Sequence, residues 1–156
     1  MILYRIEKAK YADAAFSGHG AHLTGGRWNF PGYPVAYTSA TLSLAVLEIL
    51  AHTSDRRRLS KIKYMACSAK VPEIEIERIE AGSLPGNWRE HDPIPPRLQA
   101  IGTDWIKRCR SLILRVPSVV VPTEFNYLIN PAHPDFARIT ILKLQPFKFD
   151  SRLAKP

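Results

Sequence analysis

The stretch VAYTSATLSLAVLEILAH, residues 35–52, predicts a short strand that leads directly into a helix. Residues 35–38 are apolar, β-branched or aromatic, which favours a strand. Ser39 or Thr41 can cap the helix that follows over residues 41–52. Because this helix is apolar on nearly every side, we expect it to be buried.

Glu48 is the exception within this helix, because its helical neighbours at positions 44, 45 and 51 are apolar. An ionised carboxylate in such surroundings costs several kcal/mol unless it is paired or hydrogen-bonded. We therefore expect Glu48 to have a partner or a chemical role. A glutamate at a wet edge of the helix, or one paired with an arginine for stability alone, is the alternative.

The segment GGRWNFPG, residues 25–32, contains Arg27, the nearest candidate in sequence to pair with Glu48. Gly25 and Gly26 allow a tight turn and a close approach to a ligand, and the following Pro-Gly closes the loop. A guanidinium and a carboxylate together are suited to hold a phosphate beside a ribose. Trp28 is expected to fix the turn rather than to stack on a ligand.

The rest of the chain predicts more strands than helices. We expect strands near residues 2–6, 62–71, 112–114, 116–121 and 139–144, an extended piece marked by Ile74, Ile76 and Ile79, irregular structure over residues 17–34, and an amphipathic helix from Leu98 to Cys109. The irregular alternation of strands and helices predicts an α+β fold with a mixed β-sheet core and flanking helices. Residues 1–156 are interpreted as a single domain.

Composition excludes several classes of protein. With 156 residues, of which 46% are hydrophobic and 23% charged, the chain is typical of a folded globular protein. Cys67 and Cys109 lack metal-ligand spacing and are expected to be reduced thiols, and no metal site is expected. The N-terminus does not resemble a signal peptide, and the longest apolar run is too short to span a bilayer, so a cytoplasmic location without membrane contact is expected.

The formal net charge of +8 favours anionic partners such as nucleotides, polyanions or an acidic protein. The dense run of residues 56–58, Arg-Arg-Arg, is interpreted as a solvated turn rather than a nucleic-acid site. Arg5 lies among apolar residues of a predicted strand, where either an exposed edge or a function explains it. Tyr37 is either a core aromatic or part of a site. Together, Arg5, Arg27, Tyr37 and Glu48 would supply a phosphate clamp, an aromatic platform and an acid, which suit the cleavage of a nucleotide.

An ordered set of motifs resembles the RES-domain toxins, the toxin halves of bacterial toxin–antitoxin pairs whose antitoxin is an Xre-type helix-turn-helix protein. The likeness covers roughly residues 2–145. Its motifs are LYRI (3–6), FSGHGA (16–21), GGRWN (25–29), VAYTS (35–39), LAVLE (44–48), VPSV (116–119), NYLINP (126–131) and HPD (133–135). His19 and Phe30 depart from the residues common at these positions in the family.

The resemblance implies an ADP-ribosyltransferase-like fold that destroys NAD+ as a substrate, without a further cofactor. Arg27, Glu48 and Ser118 match the arginine, glutamate and serine that name the family. Arg5, Tyr37 and Asn126 match its substrate-binding segments, and Ser118 is expected to orient either a substrate group or Glu48. The implied partner is the Xre-type antitoxin, expected to cover the pocket. Monomer and homodimer are both compatible with this interpretation, and direct nucleic-acid binding by this chain is not expected.

Three functions stay open at this point. In the first, the protein cleaves the nicotinamide–ribose bond of NAD+, with water or inorganic phosphate as acceptor. In the second, it is an ADP-ribosyltransferase that modifies a protein. In the third, it is a non-catalytic basic binding module, for which the basic residues are too scattered along the sequence.

Overall fold

The computed structural model describes residues 1–72 and 76–153, whose strands form one mixed sheet. The strands are β1 Ile2–Lys8, β2 Ala36–Ser39, β3 Tyr64–Lys70, β4 Ile76–Arg78, β5 Ile113–Pro117, β6 Phe125–Ile129, β7 Thr140–Ile141 and β8 Gln145–Phe147. The order across the sheet is β4-β5-β6-β2-β1-β3-β7, and β8 also pairs with β3. Only the β4–β5 pair is parallel among these residues; all other pairs are antiparallel.

Among the described residues, three α-helices accompany the sheet: α1 His19–Thr24, α2 Leu42–His52 and α3 Pro96–Arg108. Helix α2 begins after Thr41, whose hydroxyl accepts the N–H of Leu44 at 3.1 Å and so satisfies one of the free donors of the first turn. Of the two capping residues predicted from the sequence, Ser39 and Thr41, the structure has Thr41 at the cap. Short 3-10 turns at Ala9–Ala14, Arg56–Ser60, Ala81–Ser83 and Pro134–Arg138 complete the connections.

Helices α2 and α3 lie on the same face of the sheet. Trp105 and Leu98 of α3 pack with Leu128 of β6, and Leu50 of α2 packs with Ile6 of β1. Leu128 of β6 is paired with Tyr37 of β2, and Ser39, also in β2, is paired with Tyr4 of β1. Because alternate residues of a strand point to the same side, these four side chains lie on the face that α2 and α3 cover. The opposite face is covered by a separate cluster that contains Leu3, Phe16, Cys67, Ile113 and Ile129.

Strands β1 and β2 separate soon after they meet. They share one paired position among the described residues, Tyr4 with Ser39, whereas β1 pairs with β3 along its whole length from Ile2 to Lys8. The sheet is therefore open between β1 and β2, directly beside α2.

The predicted α+β class with a mixed sheet is confirmed, as are the strands near residues 2–6, 35–38 and 62–71 and the amphipathic helix α3. The extended piece is a strand over Ile76–Arg78, while Ile74 lies outside the described residues. The basic run at residues 56–58 lies in an exposed 3-10 turn, as expected for a solvated segment.

Four expectations were wrong in detail. Residues 17–34 contain the helix α1, because Gly18 and Gly25 adopt φ of +71° at its two ends and bound a helix instead of preventing one. The strand expected at residues 116–121 ends at Pro117, and the one at 139–144 is divided between β7 and the segment before β8. Helix α2 is buried on one side only, since Leu47 is 41% exposed.

The longest α-helix in the described ranges has 13 residues, and none combines the length and apolar character needed to cross a membrane.

Candidate active site

A cleft of about 560 Å³ occupies the opening between β1 and β2 and is bordered by α2. Its polar lining includes Arg5, Arg27, Tyr37, Glu48, His52 and His91, and its apolar lining includes Ile49, Ile94 and Val119. Five of the six residues assigned to the site from the sequence border this cleft; Ser118 lies behind it.

Glu48 lies in the second turn of α2, with 21% of its side chain exposed. Its Oε1 atom accepts hydrogen bonds from Ser118 Oγ at 2.8 Å and from Asn126 Nδ2 at 2.5 Å. Its Oε2 atom accepts no hydrogen bond from the described residues and lies 4.0 Å from His52 Nε2. One carboxylate oxygen is thus fixed, and the other is available to a ligand.

The two donors to Glu48 are themselves held in place. Ser118 Oγ accepts the backbone N–H groups of Val120 and Val121 at 3.1 and 3.0 Å, so its one proton is directed to Glu48. Asn126 Oδ1 accepts a hydrogen bond from Ser39 Oγ at 2.7 Å, which orients the amide so that its Nδ2 points to the carboxylate. Of the two roles considered for Ser118, the contact observed is with Glu48.

Arg27 does not form the expected ion pair with Glu48 among the contacts of the described residues. Its Nη1 atom donates instead to the carbonyl oxygens of Trp88 at 2.9 Å and Glu90 at 2.8 Å, which pins the segment that carries His91 beside the cleft. Burial lowers the pKa of Arg27, and the charge of Glu48 opposes this shift. The guanidinium stays charged, because its ordinary pKa is far above neutrality.

Tyr37 borders the cleft, and its hydroxyl is hydrogen-bonded within the protein. The hydroxyl donates to Asn29 Oδ1 at 2.8 Å and accepts the backbone N–H of Trp28 at 2.9 Å. Burial raises the pKa of Tyr37 well above its usual value, so the phenol is neutral. A Cβ atom at Gly26 would lie 2.6 Å from Tyr37 Oη, so this position requires glycine for the close approach.

Arg5 lies at the gap between β1 and β2, where its Nη1 is 3.5 Å from the carbonyl oxygen of Tyr37. Its Nη2 is 2.5 Å from Oε2 of Glu7, two residues further along the same strand face. Arg5 is therefore at the cleft border, but part of its charge is already compensated. Since β1 lies between β2 and β3, the alternative of an exposed sheet edge does not apply.

Trp28 is 3% exposed and packs in the cluster that contains Val35, Leu98 and Trp105. The indole anchors the GGRWN loop to α3, which confirms the interpretation that Trp28 fixes the turn.

Three residues near Glu48 were not assigned to the site from the sequence: Ser39, His52 and His91. His52 follows Glu48 by four residues, which places both on one side of a helix, and this spacing was a usable signal. Ser39 was considered only as a helix cap. His91 belongs to an irregular, proline-flanked segment whose position depends on the long-range contacts of Arg27, so it gave no local signal.

The arrangement combines a held carboxylate, a fixed guanidinium and an aromatic residue around one cleft. Such a set can bind an anionic ligand with a sugar and stabilise positive charge that develops near Glu48. Within residues 1–72 and 76–153, no group of three or more His, Cys, Asp or Glu side chains is placed to hold a metal ion.

Comparison with known proteins gives one family and several relatives. The model of the RES domain family matches residues 2–150. A protein named Toxin Res from Photorhabdus laumondii is 40% identical over 99% of this chain and 98% of its own length. A protein named Prs ADP-ribosylating toxin from a Sphingobium species is 36% identical over 93% of this chain and 90% of its own length.

Among solved structures, the crystal structure of the M. tuberculosis MbcT–MbcA toxin–antitoxin complex contains a chain with a similar fold. The TM-score is 0.77 at 18% identity, and the match covers 94% of this chain and 84% of the other.

Proposed function

The chain belongs to the RES domain family, and from this premise we propose that it is the toxin of a toxin–antitoxin pair and cleaves the nicotinamide–ribose bond of NAD+. The observation that carries the proposal is the carboxylate of Glu48, held through Oε1 by two donors and free at Oε2, in a cleft that is also bordered by the half-buried Arg27 and by Tyr37. The name Toxin Res of the relative that matches nearly the full length supports the assignment as a toxin.

The proposed chemistry makes modest demands on the protein. The pyridinium of NAD+ is a good leaving group, so the reaction passes through an oxocarbenium-like transition state and depends on positioning and electrostatics. Glu48 accepts a hydrogen bond from a ribose hydroxyl through Oε2 and compensates the positive charge that develops on the ring. Ser118 and Asn126 position Glu48 for this role.

Arg27 and Arg5 are proposed to bind the pyrophosphate. Arg27 uses Nη1 to hold the Trp88–Glu90 segment, which leaves its remaining N–H groups for a phosphate oxygen. Arg5 is the weaker candidate because Glu7 already pairs with it. Tyr37 packs its ring on the nicotinamide or its ribose, since its hydroxyl is committed to Asn29 and Trp28.

The partner is proposed to be an Xre-type antitoxin that covers the cleft. Support for an antitoxin comes from the fold shared with a chain of a toxin–antitoxin complex and from the net charge of +8, which suits an acidic binding segment.

A second candidate is transfer of ADP-ribose to a protein, favoured by the name of the Sphingobium relative, Prs ADP-ribosylating toxin. The same pocket serves both reactions, which differ in the acceptor. Incubation of lysate with labelled NAD+ followed by mass spectrometry separates them: free ADP-ribose or its phosphate supports degradation, and a labelled protein supports transfer.

The direct test mixes purified protein with NAD+ and follows nicotinamide release, with and without inorganic phosphate. We expect release by the natural protein and a decrease of kcat by about 10²–10³-fold in Glu48→Gln, because the amide keeps the shape but lacks the charge. Glu90→Gln is the matched control, since its carboxylate is exposed and its backbone carbonyl, which holds Arg27, is unchanged. Full activity of Glu48→Gln, or no release under either condition, would contradict the proposal.

A further inference from the structure

We propose that His52 is a catalytic residue of the hydrolytic reaction, where its Nε2 atom accepts the proton of the water that attacks the ribose. This inference rests on the proposed function, and it names water as an acceptor that the site is built to activate. It begins from the geometry around the free oxygen of Glu48.

His52 Nε2 lies 4.0 Å from Glu48 Oε2, with both residues on one side of α2. This separation is too long for a direct hydrogen bond and suits one water molecule about 2.8 Å from each atom. Since Oε1 of Glu48 is already occupied by Ser118 and Asn126, the oxygen nearest to His52 is the one that remains available. A water placed there would be beside the carboxylate proposed to hold the ribose.

The imidazole is held in place from a second element. The rings of His52 and His91 are 5.6 Å apart between centroids and inclined by 53°. His91 is carried by the segment that Arg27 pins through the carbonyl oxygens of Trp88 and Glu90. The position of His52 is thus coupled to the loop that contains Arg27.

The groups that face His52 are Glu48 on its own helix, His91 on the pinned segment and Arg27 on the GGRWN loop. Partial removal of the imidazole from water at the cleft border is the largest influence and lowers the pKa of His52, although the side chain keeps contact with solvent; Glu48 opposes this shift, and His91 and Arg27 add to it. Since the ordinary pKa is 6.5, the imidazole is neutral at pH 7 and has a lone pair to accept a proton.

The step balances without any further reactant. The water oxygen forms a bond to C1′ of the ribose while one of its protons passes to His52 Nε2. The bond from C1′ to the nicotinamide nitrogen breaks, and its electron pair stays on the nitrogen. The products are nicotinamide, ADP-ribose and the imidazolium of His52, which Glu48 stabilises. This imidazolium then returns its proton to solvent, because 61% of the His52 side chain is exposed.

The test compares hydrolysis with phosphorolysis in His52→Gln. We expect nicotinamide release in phosphate-free buffer to fall about tenfold or more, because general-base assistance is lost, and release with saturating phosphate to stay within about threefold, because the phosphate dianion needs no base. Imidazole added to His52→Ala should restore part of the hydrolysis. Since His52 is largely exposed, these variants are expected to fold, which thermal unfolding checks.

The pH profile gives an independent readout. In the natural protein, kcat/KM for hydrolysis should fall as the pH drops through a pKa below 6.5, because protonation removes the base. His52→Gln should lack this limb. The matched control His91→Gln should keep it and move it to higher pH, since the interaction with His91 lowers the pKa of His52.

The inference would be overturned if His52→Gln lost nicotinamide release equally with and without phosphate, or lost it in neither condition. It would also be overturned if the acid limb of the pH profile disappeared in His91→Gln and stayed in His52→Gln. Release only with phosphate would overturn it as well but leave the proposed function intact. No release under either condition would reject the proposed function itself.

Discussion

Ser118 connects the backbone turn after β5 with the carboxylate of Glu48. Its oxygen accepts the N–H groups of Val120 and Val121, and its proton goes to Glu48 Oε1 at 2.8 Å. At 1% exposure, Ser118 is behind the cleft rather than in it. At the scale of single residues, the site therefore consists of one carboxylate and the groups that orient it.

If Ser118 acts through Glu48, the two residues should be coupled energetically. We expect Ser118→Ala to lower kcat about tenfold with little change in KM, and to cost about 1–3 kcal/mol of stability through the N–H groups left unpaired. In the Glu48→Gln background, the same substitution should have little further effect on the residual rate. A full tenfold loss in that background would instead place Ser118 on the substrate.

At the scale of elements, the backbone of the GGRWN loop and that of α3 come into close contact at Gly102. A Cβ atom at Gly102 would be 1.9 Å from the carbonyl oxygen of Trp28 and 3.0 Å from its Cβ. At this position the helix can approach the loop so closely because Gly102 has no side chain. This contact sets the distance between α3 and the loop that carries Arg27.

Gly102→Ala should destabilise the protein although alanine is the better helix former. Its helix propensity contributes about 1 kcal/mol, whereas the clash forces backbone to move and is expected to cost about 3 kcal/mol or more. Gly20→Ala is the matched control, because Gly20 is also helical and has no atom within 4 Å of an added Cβ. Urea denaturation should show a lower midpoint for Gly102→Ala and an unchanged or higher one for Gly20→Ala; the opposite order would contradict the packing argument.

The elements that the sequence predicted correctly are those with a local signal. The apolar character of α2 and the helical periodicity of α3 were sufficient, and Glu48 was found because a charge among apolar neighbours is costly. The strand β6 was not predicted, and the preceding strand ends where the hydroxyl of Ser118 accepts two N–H groups, a local bond that competes with the sheet.

The missed parts of the site depend on contacts distant in sequence. Arg27 was expected to pair with Glu48 but binds carbonyl oxygens 61 and 63 residues away. The acceptors are backbone carbonyl oxygens, which every residue has, so the residue types at these positions do not indicate such hydrogen bonds. The same holds for the placement of His91, whereas His52 could have been found from its spacing to Glu48.

At the scale of the whole molecule, the net charge of +8 gives the protein a positive electrostatic potential, which acts on ligands that approach the cleft. Much of this charge is exposed, including Arg56, Arg57 and Arg58 in the turn that begins four residues after His52. A positive surface near a cleft raises the local concentration of an anionic substrate and its rate of association. Of these three arginines, Arg57 pairs with Asp55 at 3.0 Å, so Arg56 and Arg58 contribute most to the field.

We therefore expect kcat/KM for NAD+ to decrease by about two- to tenfold when the ionic strength rises from low to physiological values, with kcat nearly constant, because salt screens the attraction within a Debye length of about 8–10 Å. Substituting Arg56 and Arg58 by Gln should lower kcat/KM at low salt and flatten its salt dependence. Arg152→Gln is the control, since its charge is compensated by Asp150 at 2.9 Å. The measurement is nicotinamide release over a series of salt concentrations. If the double variant kept the full salt dependence, the attraction would have to arise from Arg27 and Arg5 inside the cleft, where screening by salt is weaker, and not from the surface.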